Sequence, residues 1–256
     1  MQQTMHEIGI IIKSSHEIAI MRDAGRVVAA VIEALTKEVR PGVTTAELDK
    51  LAAHEFKKRG AVASFKGYRG FPAYICTSVN EEVVHGIPGN RVLREGDIIS
   101  LDVGALLNGF HADAAVTLPV GRISPGAEKL LDTTRGALEA GVAAAKGGAR
   151  LGDVSAAIQA YTESREFSVV KEYVGHGIGR DLHEDPQVPN FGIGGEGPSL
   201  KNGMTIAIEP MVNVGVWRTR VTDNKWTVVT ADGKPSAHFE HTIAITDGVP
   251  EILTVL

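Results

Sequence analysis

Apolar residues along the first part of the chain return with the spacing of a helix face. Ser14 and Glu17 form an S-x-x-E capping box, and Ile18, Met21, Val28, Val31 and Leu35 recur on one side until Arg40-Pro41-Gly42 ends the pattern. Thr44 and Glu47 repeat the capping box, and Leu48, Leu51, Ala52 and Phe56 predict a second amphipathic helix ending near Gly60. A loop, Phe65-Lys-Gly-Tyr68-Arg-Gly-Phe71-Pro72, leads into a strand from about Tyr74 to Val79. Ile98, Ile99, Leu101 and Val103 predict a buried strand, and the turn signal Asn108-Gly109 folds the chain back as a hairpin. Ser124-Pro125 opens a third helix through Leu130, Leu131, Leu138 and Val142, closed by Lys146-Gly147-Gly148, because proline suits the first helical turn and glycine the end. A fourth helix runs from about Leu151 to Glu163.

Asp102 interrupts the apolar run of the hairpin, and Asp113 follows on the returning strand, so the hairpin is expected to bring two acids face to face. Two carboxylates in a partly dry site repel each other. Either one keeps its proton or a cation lies between them. The order helix, helix, strands then occurs a second time. Gly42-Val43-Thr44 matches Gly148-Ala149-Arg150, and Gly96 to Asp102 falls on Gly203 to Glu209, so Asp102 overlies Glu209. Asp113 stands before Gly121 at the same spacing as Glu240 before Gly248. Four acids in register across two halves, about 14–121 and 124–248, predict a pseudo-symmetric sheet with carboxylates converging on its centre. Such a buried cluster needs positive charge, and divalent metal is the usual source.

Composition narrows the class. The 256 residues are 43% apolar, enough for a sizeable core, and are read as one domain, 1–256. A net charge of −5 with dispersed basic residues argues against nucleic acid as the primary ligand. The single Cys76 precludes an intramolecular disulfide and fits a reducing compartment. Met1 to Ile12 lacks the basic n-region of a signal peptide, and no apolar run approaches the roughly 18 residues of a membrane span, so a cytoplasmic protein without membrane binding is expected.

Of the nine histidines, His6, His16 and His54 sit in polar or helical surface contexts. His176 lies in Tyr173-Val-Gly-His176-Gly-Ile-Gly, at the expected end of an apolar strand, between glycines that admit close neighbours. His183, in Leu182-His183-Glu-Asp-Pro, and His85, in Val84-His85-Gly-Ile-Pro, each flank a turn at a strand end, where polar side chains reach a cleft. The Gly-x-Gly pattern around His176 and the run Gly192 to Gly197 lack the strand-to-helix context of a nucleotide-binding loop.

These stretches together resemble the type I methionine aminopeptidases over essentially the whole length. The resemblance is carried by Cys76-Thr-Ser-Val-Asn-Glu-Glu-Val-Val-His85-Gly-Ile-Pro, Asp102, Phe110-His-Ala-Asp113, Gly175-His176-Gly-Ile-Gly, His183-Glu-Asp-Pro, Ile208-Glu209-Pro-Met and Phe239-Glu240-His-Thr. It implies an α+β, pseudo-twofold pita-bread fold, with a central antiparallel sheet and two pairs of helices on its outer face. It also implies five metal ligands, Asp102, Asp113, His176, Glu209 and Glu240, holding two divalent ions. Donors of this kind accept Fe(II), Mn(II), Co(II) or Zn(II).

The implied reaction is removal of the N-terminal methionine from peptides and nascent chains, with a preference for a small second residue. A hydroxide bridging the two ions would attack the first peptide bond, since metal lowers the pKa of water from about 15.7 to about 7. By family position Glu209 shuttles the proton, His183 stabilises the oxyanion, and His85 contacts the scissile amide or aids the leaving amine. The methionine side chain is expected against Phe65, Tyr68, Phe71, Cys76, Leu182 and Trp226. Phe65 and Leu182 depart from the family's usual side chains, apolar for apolar, which bears on pocket shape and not on substrate class. The resemblance further implies a monomer with transient ribosome contact. Two alternatives share the fold. A proline-directed peptidase, an aminopeptidase P or prolidase, usually carries an added N-terminal domain, whereas here the repeat starts almost at once. A non-catalytic binding module has eroded ligands, whereas here all five are present. The short spacing from His183 to Glu209 leaves no room for the helical insertion of type II enzymes.

Overall fold

The computed structural model describes residues 9–256. The reading of His6 as a surface residue, and most of the reading of the leader, lie outside the described residues. Among the described residues there are four α-helices: α1 (Ser15–Glu38), α2 (Thr45–Lys58), α3 (Pro125–Ala144) and α4 (Leu151–Glu163). Each starts where its capping chemistry places it. Ser14 and Thr44 accept from the N–H groups of Glu17 and Glu47, and each glutamate reaches back to its cap's own N–H. Ser124 accepts from Ala127 ahead of Pro125. At α4 the cap is Arg150, whose N–H donates to the Asp153 carboxylate at 2.7 Å. These contacts satisfy N–H groups that the first turn leaves unpaired.

The first half supplies β1 (Val62–Ala63), β2 (Cys76–Val79), β3 (Glu82–Val84), β4 (Ile98–Leu107) and β5 (Phe110–Pro119). The second supplies β6 (Ser168–Val169), β7 (Gly175–Gly177), β8 (Glu184–Val188), β9 (Thr205–Ile208) and β10 (Met211–Asn213). It continues with β11 (Thr219–Val221), β12 (Val228–Thr230), β13 (Ser236–His238), β14 (His241–Ala244) and β15 (Glu251–Ile252). All pairings among them are antiparallel. In the first half β4 carries β1 and β2 on one edge and β5 on the other; in the second the order is β15-β14-β9-β7-β8. Shorter ladders, β13-β10-β6 and β11-β12-β3, form two further three-stranded sheets.

Strand alternation sorts the two faces. Ile99, Leu101, Val103 and Ala105 pack with Val28, Val31 and Leu35 of α1 and Leu48 and Phe56 of α2 in one core. Ile206, Ile208, Ile243 and Ile245 pack with Leu130, Leu138, Val154 and Ile158 of α3 and α4 in another. Asp102, Asp113, Glu209 and Glu240 occupy the alternate positions and so turn away from the helices. The two halves join where β5 runs beside β14. There Ala115 and Glu240 exchange backbone N–H bonds at 3.4 and 2.9 Å, and Thr242 Oγ1 accepts from the Asp113 N–H and donates to its carbonyl.

The hairpin differs in one respect from the expectation. Asp102 pairs with Ala115 and Gly104 with Asp113, so the two acids are diagonal neighbours on one face and do not stand directly opposite. The second half departs further from its copy. Its counterpart of the hairpin is interrupted at Glu209-Pro210 on one strand and Phe239-Glu240 on the other, splitting it into β9 with β14 and β10 with β13. Pro210 has no N–H to give the ladder, which explains a break there.

Candidate active site

A cavity of about 150 Å³ opens at the seam between the halves, and all thirteen residues singled out from the sequence line it, with Arg69 as a fourteenth. Its floor is acidic. Asp102 and Asp113 come from the middle of β4 and β5, Glu209 from the break after β9 and Glu240 from the break before β14. His176 lies at the centre of β7, paired on one side with Ala207 and on the other with Gln187, and not at a strand end as expected.

His176 Nδ1 lies 2.8 Å from the Gly177 carbonyl. An oxygen there can only accept, so Nδ1 carries the proton and Nε2 is left as a lone-pair donor. That Nε2 lies 3.5 Å from Glu209 Oε1. Asp113, His176 and Glu240 offer donor atoms that all lie within 4.8 Å of one another. Burial holds His176 neutral, pushing its pKa down to about 3.

The acids show the opposite effect. Loss of water, reinforced by the other acids, raises Asp102, Glu209 and Glu240 well above the usual carboxylate range; burial brings Asp113 up to about 7. Asp102 Oδ1, Asp113 Oδ1 and Glu240 Oε1 are enclosed without a hydrogen-bond partner. Among the described residues the groups recorded at ion-pair distance from Glu209 and Glu240 are imidazoles, His176 and His238. Unpartnered buried oxygens beside a neutral imidazole nitrogen are what a divalent cation would engage, and an oxygen-rich set with one nitrogen fits the hard to borderline ions.

Two histidines stand above this floor. His183 precedes β8, its ring centroid 4.2 Å from that of His176, and its Nδ1 is 2.9 Å from the Tyr68 hydroxyl. Tyr68 also stacks on it at 5.3 Å. His85 follows β3 with φ 59°, a left-handed conformation uncommon for a residue with a Cβ. The next residue helps to hold it there: a Cβ on Gly86 would lie 2.0 Å from the Thr77 carbonyl oxygen, so only glycine lets the chain pass so close. Burial lowers His85 to about 4.

The remaining walls are apolar. Phe71 meets Trp226 edge to face at 5.1 Å, and both cluster with Phe65, Leu182 and Cys76. The Phe65 ring fits against β4 because Gly104 is bare; a Cβ there would sit 2.9 Å from it. Asp49 of α2 accepts from the N–H groups of Tyr74 and Ile75 at 2.8 and 3.1 Å, which anchors the start of β2 and with it Cys76. Burial, then the nearby Asp102 and Asp113, raises the Cys76 thiol. It is therefore a protonated, weakly polar wall group and not a nucleophile. Sequence reasoning missed Arg69, in a loop that offered no chemistry, and His238, two positions before Glu240, which reads in the sequence as a core position.

The chain matches the profile of metallopeptidase family M24 over residues 19–247. It is 58% identical over 245 residues to methionine aminopeptidase 1 of Bacillus subtilis, covering 96% of this chain and 99% of the relative. The crystal structure of methionine aminopeptidase from Thermotoga maritima superposes with a TM-score of 0.95 at 49% identity, covering 96% of this chain and all of the other. Prolidase from Pyrococcus furiosus shares the fold, with a TM-score of 0.76 at 21% identity, and this chain spans 66% of it.

Proposed function

The chain belongs to metallopeptidase family M24, among its methionine aminopeptidases, and from that premise we propose that it removes the N-terminal methionine from peptides and nascent proteins, preferring a small second residue. The observation that carries the reading is the convergence of Asp113, His176 and Glu240 donor atoms within 4.8 Å beside an apolar cavity of about 150 Å³. That volume is below the roughly 300 Å³ of sites for drug-sized ligands and suits one side chain.

We assign Asp102, Asp113, His176, Glu209 and Glu240 as ligands of two divalent ions drawn from Fe(II), Mn(II), Co(II) and Zn(II). Bound there, the ions would polarise the substrate carbonyl and supply an activated water at neutral pH. The protein's own groups do the rest. Glu209, a carboxylate at the cluster that lines the cavity, takes and returns a proton through a carboxylate oxygen. His183, its Nδ1 engaged by Tyr68, directs Nε2 toward the oxyanion that develops on the carbonyl. His85 contacts the scissile amide and assists the departing amine. Phe65, Tyr68, Phe71, Cys76, Leu182 and Trp226 enclose the methionine side chain and keep water from it.

The two halves work as one catalytic domain, each giving two carboxylates. We place the protein in the cytoplasm, a reading supported by the free, buried Cys76 and the bacterial relatives, and take it to act as a monomer in transient contact with the ribosome. Among the described residues no helix is long and apolar enough to cross a membrane. The test is to incubate metal-reconstituted protein with Met-Ala-Ser and with a Xaa-Pro peptide. Methionine is expected from the first and no cleavage of the second. Absence of turnover on both with Fe(II), Mn(II) and Co(II) would overturn the reading.

A further inference from the structure

We propose that His238 is a positioning residue of the metal centre, its Nε2–H holding the outward oxygens of Glu209 and Glu240 while their other oxygens face the ions. The inference rests on the ligand set proposed above. His238 is 1% exposed, and its Nε2 is enclosed with no hydrogen-bond partner, an arrangement that buried polar groups rarely keep. The charged groups at this nitrogen are two carboxylates, Glu209 Oε2 at 3.8 Å and Glu240 Oε2 at 4.0 Å. Both are acceptors when ionised, so the tautomer that fits carries its proton on Nε2.

The division of oxygens makes the assignment specific. Glu209 turns Oε1 toward His176 Nε2, 3.5 Å away, and Oε2 toward His238. Glu240 keeps Oε1 among the unpartnered buried atoms and turns Oε2 toward His238. Each acid thus presents one oxygen to the cluster and the other to the same imidazole. A carboxylate that gives one oxygen to an ion holds its orientation when the other is hydrogen-bonded. His238 is seated to provide this. Its backbone N–H donates to Thr117 Oγ1 at 2.8 Å, and Thr117 Oγ1 donates to its carbonyl at 2.7 Å, tying β13 to β5 across the seam. At 3.8 and 4.0 Å the separations lie beyond hydrogen-bond reach, so the proposed contact requires the two carboxylates and the imidazole to close by about 1 Å.

The test compares full-length wild type, His238→Leu and His238→Gln by chelator-competition titration with Mn(II) and Co(II). X-ray absorption then counts the imidazoles on bound Co(II). Leucine is expected to weaken binding about 10- to 100-fold, and glutamine, which keeps an N–H donor, to recover most of it with an unchanged imidazole count. If leucine does not fold, the glutamine variant decides: near wild-type affinity with the same count supports the proposal. Wild-type affinity in the leucine variant overturns the role of His238 alone, and a lower imidazole count in the glutamine variant overturns it by making His238 a direct ligand. Failure of wild type to bind either ion overturns the metal centre itself.

Discussion

His176 donates from Nδ1 to the Gly177 carbonyl at 2.8 Å, and this one bond decides that Nε2 faces the acids. His176→Ala removes the nitrogen donor from a set otherwise made of oxygens and leaves unpaired carboxylates behind. Turnover of Met-Ala-Ser is expected to vanish, and metal content measured after dialysis to fall; full activity in the variant would remove His176 from the ligand set. The signal for this residue was plain in the sequence because glycines on both sides admit close neighbours. His238 carried no such mark. Between Ala237 and Phe239 it reads as one more core position, and only the distances of its Nε2 from Glu209 and Glu240 separate it from a packing residue. His85 falls between the two. Its turn context pointed to a cleft, but its left-handed backbone depends on the close approach of Gly86 to Thr77, a contact between β2 and the turn after β3 that no local pattern records.

Among the elements, the helices were the most legible, because capping is local chemistry. Ser14, Thr44 and Ser124 lie three positions before the N–H groups they accept from, so residue type and spacing fix the start of each helix without reference to the rest of the chain. Ser14→Ala is expected to cost about 1 kcal/mol in denaturant unfolding with little change in m, since the cap is exposed and makes no contact with the cavity. A loss of Met-Ala-Ser activity at a temperature where the variant remains folded would contradict that separation of α1's start from the site. The hairpin was legible for the same local reason, through Asn108-Gly109. Its counterpart in the second half was not, because residues 214–235 stand where the first half has a two-residue turn. The pairing of β9 and β10 with β14 and β13 is set by tertiary contact across that insertion. Pro210 made the break readable in principle, as a residue unable to donate to a ladder. The strands therefore do not run on as β4 and β5 do, and Glu240 falls in the gap after β13, which stops at His238.

At the scale of the whole molecule the acids oppose the fold that gathers them. Burial, reinforced by mutual repulsion, raises Asp102, Glu209 and Glu240 well above the values they have in an unfolded chain, and burial takes Asp113 to about 7. A group whose folded pKa is raised binds protons more tightly in the folded state. Its contribution to stability is present below the unfolded value of about 4 and is lost as pH rises through the folded value. Metal-free protein, prepared with chelator, is therefore expected to lose melting temperature between about pH 4 and pH 7 and above, as the carboxyls are forced to ionise in a dry site. Divalent metal reverses the sign, because it binds the ionised form and releases the protons. Melting temperatures measured with and without Mn(II) should thus diverge as pH rises, with Mn(II) giving little protection near pH 5 and most above pH 7. Curves that stay parallel across this range would show that metal uptake is not linked to these four carboxyls. The same linkage explains why two halves are needed at one seam. Each half alone would bury two acids, and the bonds of Ala115 with Glu240 and of Asp113 with Thr242 bring the pairs close enough for shared cations to neutralise all four.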